Sequence, residues 1–198
     1  MLSGTSTAGP DDNGAVILAV VVLLATLGLG RLLGGRLGRL GELSLRSTPL
    51  ASTAFAVQVL GGLVGGPAYA VGLGLAAALV GGFLLRNRGV RGTGLITLGL
   101  LANTLVVGLN GAMPVAGSAA GRAGVSTQAL LTGADPRHEL MDDQTRLRAL
   151  SDVLPAPWPV VPEVLSPGDV LIAAGLGQLV LLGMLGSAGI RQEPRPAL

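Results

Sequence analysis

Few residues in this chain have the chemistry to act on anything. The one histidine, His138, has Asp142 four residues on, the spacing of two metal ligands on one helix face. Glu139, Asp143, Asp152 and Asp169 are possible oxygen ligands beside it, but one histidine without a recognised ligand pattern does not make a metal site, and no metal is expected. None of the serines sits in G-x-S-x-G or another nucleophile context, so no catalytic residue is assigned. The absence of cysteine excludes disulfides, iron–sulfur clusters and thiol catalysis. What remains is a candidate polar cluster with His138 and Asp152 at its centre and Asn110 and Asp169 at its base. Deep in the apolar runs only amides occur: Gln58, Asn103 and Gln178. Proton- and ion-coupled transporters usually hold ionisable groups at that depth. The amides are expected to bond between helices, at about 1 kcal/mol each.

The elements that must position these residues are apolar runs near Gly14–Leu29, Pro49–Val64, Pro67–Leu85, Thr93–Leu109 and Val170–Gly186. About 20 helical residues span a bilayer core, and these runs are about 16 to 20 long. Only 12% of the chain is charged, against about a quarter in soluble domains, too little to cover a globular surface. All 13 basic residues are arginine. Arg31, Arg36, Arg39 and Arg46 follow the first run, Arg86, Arg88 and Arg91 the third, and Arg191 and Arg195 the fifth. Basic connections stay cytoplasmic. The expected fold is therefore an all-α membrane protein: a compact bundle of five transmembrane helices, N-terminus outside and C-terminus cytoplasmic, with one long outer segment between helices four and five. Positive charge at membrane borders suits anionic headgroups. A nucleic-acid binder would gather it on one soluble face, so no nucleic acid is expected.

In order, these are an outer tail over residues 1–13, a four-helix region over 14–109 with a basic cytoplasmic loop at 31–48, an outer capping segment over 110–166, a fifth helix over 167–187 and a cytoplasmic tail over 188–198. The tail lacks the basic residues of a secretory signal, so the first helix is expected to stay uncleaved. Leucines at near-helical spacing within 31–48 suit a short interfacial helix. Gly65-Gly66-Pro67 suits a tight reversal, with Gly61, Gly62, Gly65 and Gly66 allowing close helix approach. In the outer segment, Asn110-Gly111 predicts a turn with positive φ. Ala116–Gly124 reads as flexible. Asp142 or Asp143 is expected to cap a helix carrying Leu147, Leu150 and Leu154. Pro155, Pro157, Pro159 and Pro162 suit an extended polyproline strip, with Trp158 at the headgroups. Ser166-Pro167-Gly168-Asp169 is a strong helix start. The apolar residues of His138–Asp152 predict that this stretch folds back over the ends of helices four and five.

The chain resembles a bacterial family of polytopic membrane proteins, domain of unknown function family 5317. The resemblance is carried in order by Gly34-Gly35-Arg36-Leu37, Leu45-Arg46, Gln58, Asn103, Asn110-Gly111 with Met113-Pro114, His138, Thr145, Leu147, Leu150, Asp152, Ser166 and Gly168-Asp169. The chain departs from it in a longer polar N-terminus and in Ala112, where glycine is expected. The resemblance implies the architecture and points to the outer segment, but implies no reaction, and the cofactor is unknown. The expected role is a structural or interaction subunit of a membrane complex, multi-pass in the cell membrane, with a membrane-protein partner. A transporter or ligand-binding protein with a polar pocket at the outer face is the alternative. An enzyme is the weaker reading.

Overall fold

The computed structural model describes residues 13–64, 67–132, 135, 137–159 and 161–187. The tail through Asp12, the tail 188–198, the Gly65-Gly66 reversal and the side chains of Gln58, Gly61 and Gly62 lie outside the described residues. The chain is mostly helical: α1 Asn13–Leu32, α2 Thr48–Val64, α3 Pro67–Arg86, α4 Thr93–Asn110, α5 Gly117–Ala123, α6 Gln128–Thr132 and α7 Pro167–Met184. Four short strands, β1 Met113–Val115, β2 His138–Leu140, β3 Leu154–Ala156 and β4 Glu163–Leu165, depart from an all-α reading. Three stretches are long and apolar enough to cross a membrane: Ala15–Leu32, Thr93–Asn110 and Pro167–Met184. The apolar stretches of α2 and α3 among the described residues, Thr48–Val57 and Gly74–Arg86, are shorter.

Two compact units partition the chain: Met1–Val22 with Leu98–Ala174, and Leu23–Thr97 with Gly175–Leu198. In the first, Gly111 follows α4 at φ +94, as the Asn-Gly turn requires. The chain then enters β1, which pairs in parallel with β2, Met113 opposite His138 and Val115 opposite Leu140. The other edge of β1 meets Asp152: the Asp152 amide donates to the Pro114 carbonyl at 3.0 Å and the Ala116 amide to the Asp152 carbonyl at 2.9 Å. The antiparallel pair β3–β4 joins through the Val153 amide, which donates to the Leu165 carbonyl at 3.2 Å.

Three expectations are corrected here. Ala116–Gly124 is not flexible: it forms α5, whose Ala119, Ala120 and Ala123 are buried with Val115, Val125, Leu130 and Val164 in one apolar cluster. Gly124 at φ +81 ends α5, and the Val125 amide donates back to the Ala120 carbonyl at 3.0 Å, a Schellman closure. Seven residues are too few for a helix alone, so packing of the small alanine face holds it. No helix carries Leu147, Leu150 and Leu154 together. Leu147 has φ +54 and precedes a single 3₁₀ turn over Arg148–Leu150. Leu154 lies in β3, so the proline-rich stretch begins as a paired strand, not as a free polyproline strip. The Trp158 indole nitrogen is buried without a hydrogen-bond partner among the described residues.

In the second unit, the 31–48 connection contains a 3₁₀ turn over Leu37–Glu42. The Arg36 amide donates to the Met184 carbonyl at 3.0 Å, and Met184 is fully buried. At the other connection, Thr93 starts α4: its hydroxyl donates to the carbonyl of Val90, 2.7 Å away, or to that of Asn87, 3.1 Å away.

The close approach of α4 to α7 follows from four glycines. In the first unit, a Cβ on Gly99 would strike the Gly168 carbonyl oxygen, and one on Gly168 would strike the Asn103 side chain. In the second, Gly92 and Gly175 exclude a Cβ in the same reciprocal way. Gly168 and Gly175 are seven residues apart on α7, while Gly99 lies within α4 and Gly92 stands just before it at φ +99.

Candidate functional site

Asn103, Ser166 and Asp169 meet where α7 begins. The Ser166 amide donates to Asp169 Oδ2 at 2.9 Å, and the Asp169 amide donates to Ser166 Oγ at 3.0 Å. This is a reciprocal capping box with aspartate in the third position. Asn103 extends it across to α4: its Nδ2 donates to Asp169 Oδ1 at 2.9 Å. Ser166 Oγ lies 2.8 Å from Asp169 Oδ2 and 3.0 Å from Asn103 Oδ1. One hydroxyl proton serves one of these oxygens at a time. Ser166 is fully buried, so its hydroxyl joins two helices and is not presented as a nucleophile.

His138 lies between two carboxylates. Its Nδ1 is 2.8 Å from Asp135 Oδ2 and its Nε2 is 4.0 Å from Asp152 Oδ2. Burial opposes ionisation of Asp135, but the Arg137 amide, the His138 hydrogen bond and the charges of both residues outweigh it and hold the carboxyl below its ordinary value. An ionised carboxylate only accepts, so Nδ1 carries the proton in that bond. His138 sits on β2 and Asp142 in the turn beyond it, so the two do not share a helix face. No group of three or more potential metal ligands occurs among the described residues.

Asn110 forms a third setting. Its Oδ1 accepts from the Arg146 amide at 2.8 Å, and its Nδ2 donates to the carbonyls of Arg146 at 3.1 Å and Val106 at 2.8 Å. An open cleft of about 290 Å³ beside it is lined by Leu109, Asn110, Glu139, Asp142, Gln144, Thr145 and Arg146. Burial and the nearby Asp142 raise the Glu139 carboxyl above its ordinary value.

The four residues expected as one cluster thus fall into three settings: His138 with Asp152, Asp169 with Asn103 and Ser166, and Asn110 with Arg146. Of the amides in the apolar runs, Asn103 bonds between helices, Gln178 is exposed on α7, and the Gln58 side chain lies outside the described residues. Four buried polar residues have no counterpart among the sequence expectations: Asn87, Asp135, Ser151 and Glu163. Asn87 clamps Arg46 as Asn110 clamps Arg146, accepting from the Arg46 amide at 2.7 Å and donating to the carbonyls of Arg46 and Phe83 at 2.8 Å. In both, an asparagine at a helix C-terminus bonds the carbonyl four residues back and the backbone of a distant arginine. The helix-terminal Asn is the signal; the distant partner has none.

A pH dependence follows from Asp135. Its folded pKa is lower than its unfolded one, so the stabilisation is fully present above the ordinary value of 3.8 and is lost as pH falls through the lowered folded value. Amide exchange at Met113 and Met141, which bond across β1–β2, should accelerate in that acid range, and Asp135→Asn should flatten the dependence. Glu139 acts with the opposite sign: its contribution is present at low pH and lost as pH rises through its raised value. An exchange profile with the same acid limb in Asp135→Asn would remove the assignment.

A mostly helical chain, with three helices able to cross a membrane and a polar segment folded around its own carboxylates and amides, defines the class of protein. The chain belongs to a family of unknown function (DUF5317), which matches residues 43–181. No curated protein and no solved structure matches it.

Proposed function

We propose that this is a multi-pass cell-membrane protein that crosses the bilayer five times, N-terminus outside, and serves as a structural or interaction subunit of a membrane complex. The observation that carries this is the use made of its polar side chains. Asn103, Ser166 and Asp169 tie α4 to α7, Asn110 and Asn87 clamp backbone, and His138 joins Asp135. Chemistry that a catalyst would present to a substrate is spent on holding the fold. The arginine asymmetry supports the orientation, with 111–166 outside.

Impermeant maleimide labelling in right-side-out vesicles tests the topology, since the chain has no cysteine of its own. A cysteine at Ser126 should label from outside, and one at Arg88 only after permeabilisation. A cysteine at Gly66 decides the number of spans: outside labelling is expected of five, and labelling only after permeabilisation leaves three. The role is tested by purification from native membrane in mild detergent, where a stoichiometric protein partner is expected. A partner-free chain that retains a small polar molecule would instead select the second reading, a ligand-binding protein. The cleft between Asn110, Glu139 and Arg146 is the observation that favours that reading.

A further inference from the structure

We infer that the Asn87 clamp assembles a phosphate-binding site for an anionic phospholipid, made by Arg46 from one connection and Arg86, Arg88 and Arg91 from another. This rests on reading α2 and α3 as membrane-embedded. Asn87 is 3% exposed, and its amide is used fully, on both backbone groups of Arg46 and on the Phe83 carbonyl. Arg46 lies 41 residues from Asn87 in sequence, yet is held against it at two points, next to Arg86 and Arg88. The clamp therefore brings arginines of separate connections to one place.

All four arginines are exposed, and none forms an ion pair among the described residues. Gathered like charges repel, and a clamp that brings them together without an ion pair, exposed Glu42 in the same connection included, leaves a demand for an external anion. Two helices add to it. α2 starts two residues after Arg46 and α4 two residues after Arg91, and helix N-termini carry partial positive charge. Guanidinium forks match the oxygens of a phosphodiester better than any other side chain does. Leu85, next to Arg86 in sequence, is 66% exposed and offers an acyl chain apolar contact at the end of α3. A headgroup phosphate on a lipid tail satisfies both features, whereas free phosphate satisfies only the first. Arg31 and Arg36 carry equal charge on the α1 side but are not attached to this clamp. They are the comparison that separates a built site from diffuse basic charge.

The full chain in nanodiscs of phosphatidylcholine with a minor fraction of phosphatidylglycerol, released and weighed by native mass spectrometry, provides the test. Retained phosphatidylglycerol is expected at about one per chain. Arg46→Gln with Arg88→Gln should reduce retention at least tenfold, and Arg31→Gln with Arg36→Gln less than twofold. Asn87→Leu should release the lipid with every arginine still present; if that variant does not fold, the two arginine pairs carry the comparison alone. Millimolar inorganic phosphate should not displace the lipid. Equal loss from both arginine pairs, absence of retained phosphatidylglycerol, or displacement by phosphate would overturn the proposal. Labelling at Gly66 reads the underlying membrane assignment separately, so a failure of one is not mistaken for a failure of the other.

Discussion

Gly168→Ala is expected to lower the stability of the detergent-solubilised protein by about 3 kcal/mol, because overpacking and a broken buried hydrogen-bond network act together. The added Cβ would meet the Asn103 side chain and, 2.8 Å away, the Gly99 carbonyl oxygen. Neither can yield cheaply. The Asn103 amide donates to Asp169 and faces Ser166, and the carbonyl belongs to the α4 backbone. Gly108→Ala on α4 is the control, since a Cβ there meets nothing within 4 Å. It should leave the thermal midpoint unchanged or raise it, by up to about 1 kcal/mol of helix propensity. Combining Asn103→Ala with Gly168→Ala should cost less than the sum of the two, because the first removes part of what the second strikes. Equal effects of Gly168→Ala and Gly108→Ala would show that α4 and α7 are not in contact at this crossing.

Much of this arrangement was legible in the chain, and the limits are physical. Ser166-Pro167-Gly168-Asp169 reads as a helix start because its chemistry is local: the cap and its carboxylate are three residues apart. Asn110-Gly111 reads as a turn for the same reason. The partner of that start, Asn103, is 63 residues from Ser166, and nothing in the local pattern links them. The heptad spacing of Gly92 with Gly99 and of Gly168 with Gly175 was available in the sequence. The chain has 33 glycines, and a glycine's neighbours in sequence do not say which ones sit at a helix contact.

The 111–166 segment shows where local reading fails. Three glycines among the alanines of 116–124 predict looseness, yet Ala119 and Ala120 are fully buried. Small side chains let α5 sit close to β3 and β4, and this closeness is tertiary information. The prolines of 155–162 suggested a strip without pairing, but Pro155 sits opposite Val164 in a two-stranded ladder that has no further strand to serve. The leucines of His138–Asp152 recur at near-helical spacing, but only Leu140 lies in a regular pairing, the parallel β1–β2 ladder that joins residues 25 apart, while Leu147 and Leu150 lie at a 3₁₀ turn.

His138→Ala is expected to cost about 2–3 kcal/mol, the range for removing the donor of a hydrogen bond to a buried charged group. The imidazole side chain is 11% exposed, and the Asp135 and Asp152 side chains on either side of it are 8% and 7% exposed. Without the ring, Asp135 loses one of the hydrogen bonds that offset its burial and keeps the Arg137 amide and guanidinium as its partners. Asp152 then faces the emptied space from the opposite edge of β1. The loss should be local: amides bonded across β1–β2 should exchange faster, with Met113 and Met141 the reporters, while α4 and α7 keep their protection. His138→Gln should recover part of it, because its amide can donate to one carboxylate but not bridge toward both. Asp135→Asn combined with His138→Ala should cost less than the two separately, since the double variant no longer leaves a carboxylate at position 135 without its imidazole donor. Arg122→Ala, at an exposed position of α5, serves as the reference and should change little. If His138→Ala is tolerated as well as Arg122→Ala, the carboxylate–imidazole–carboxylate arrangement does not hold β1 to β2. The segment would then owe its shape to the alanine core alone.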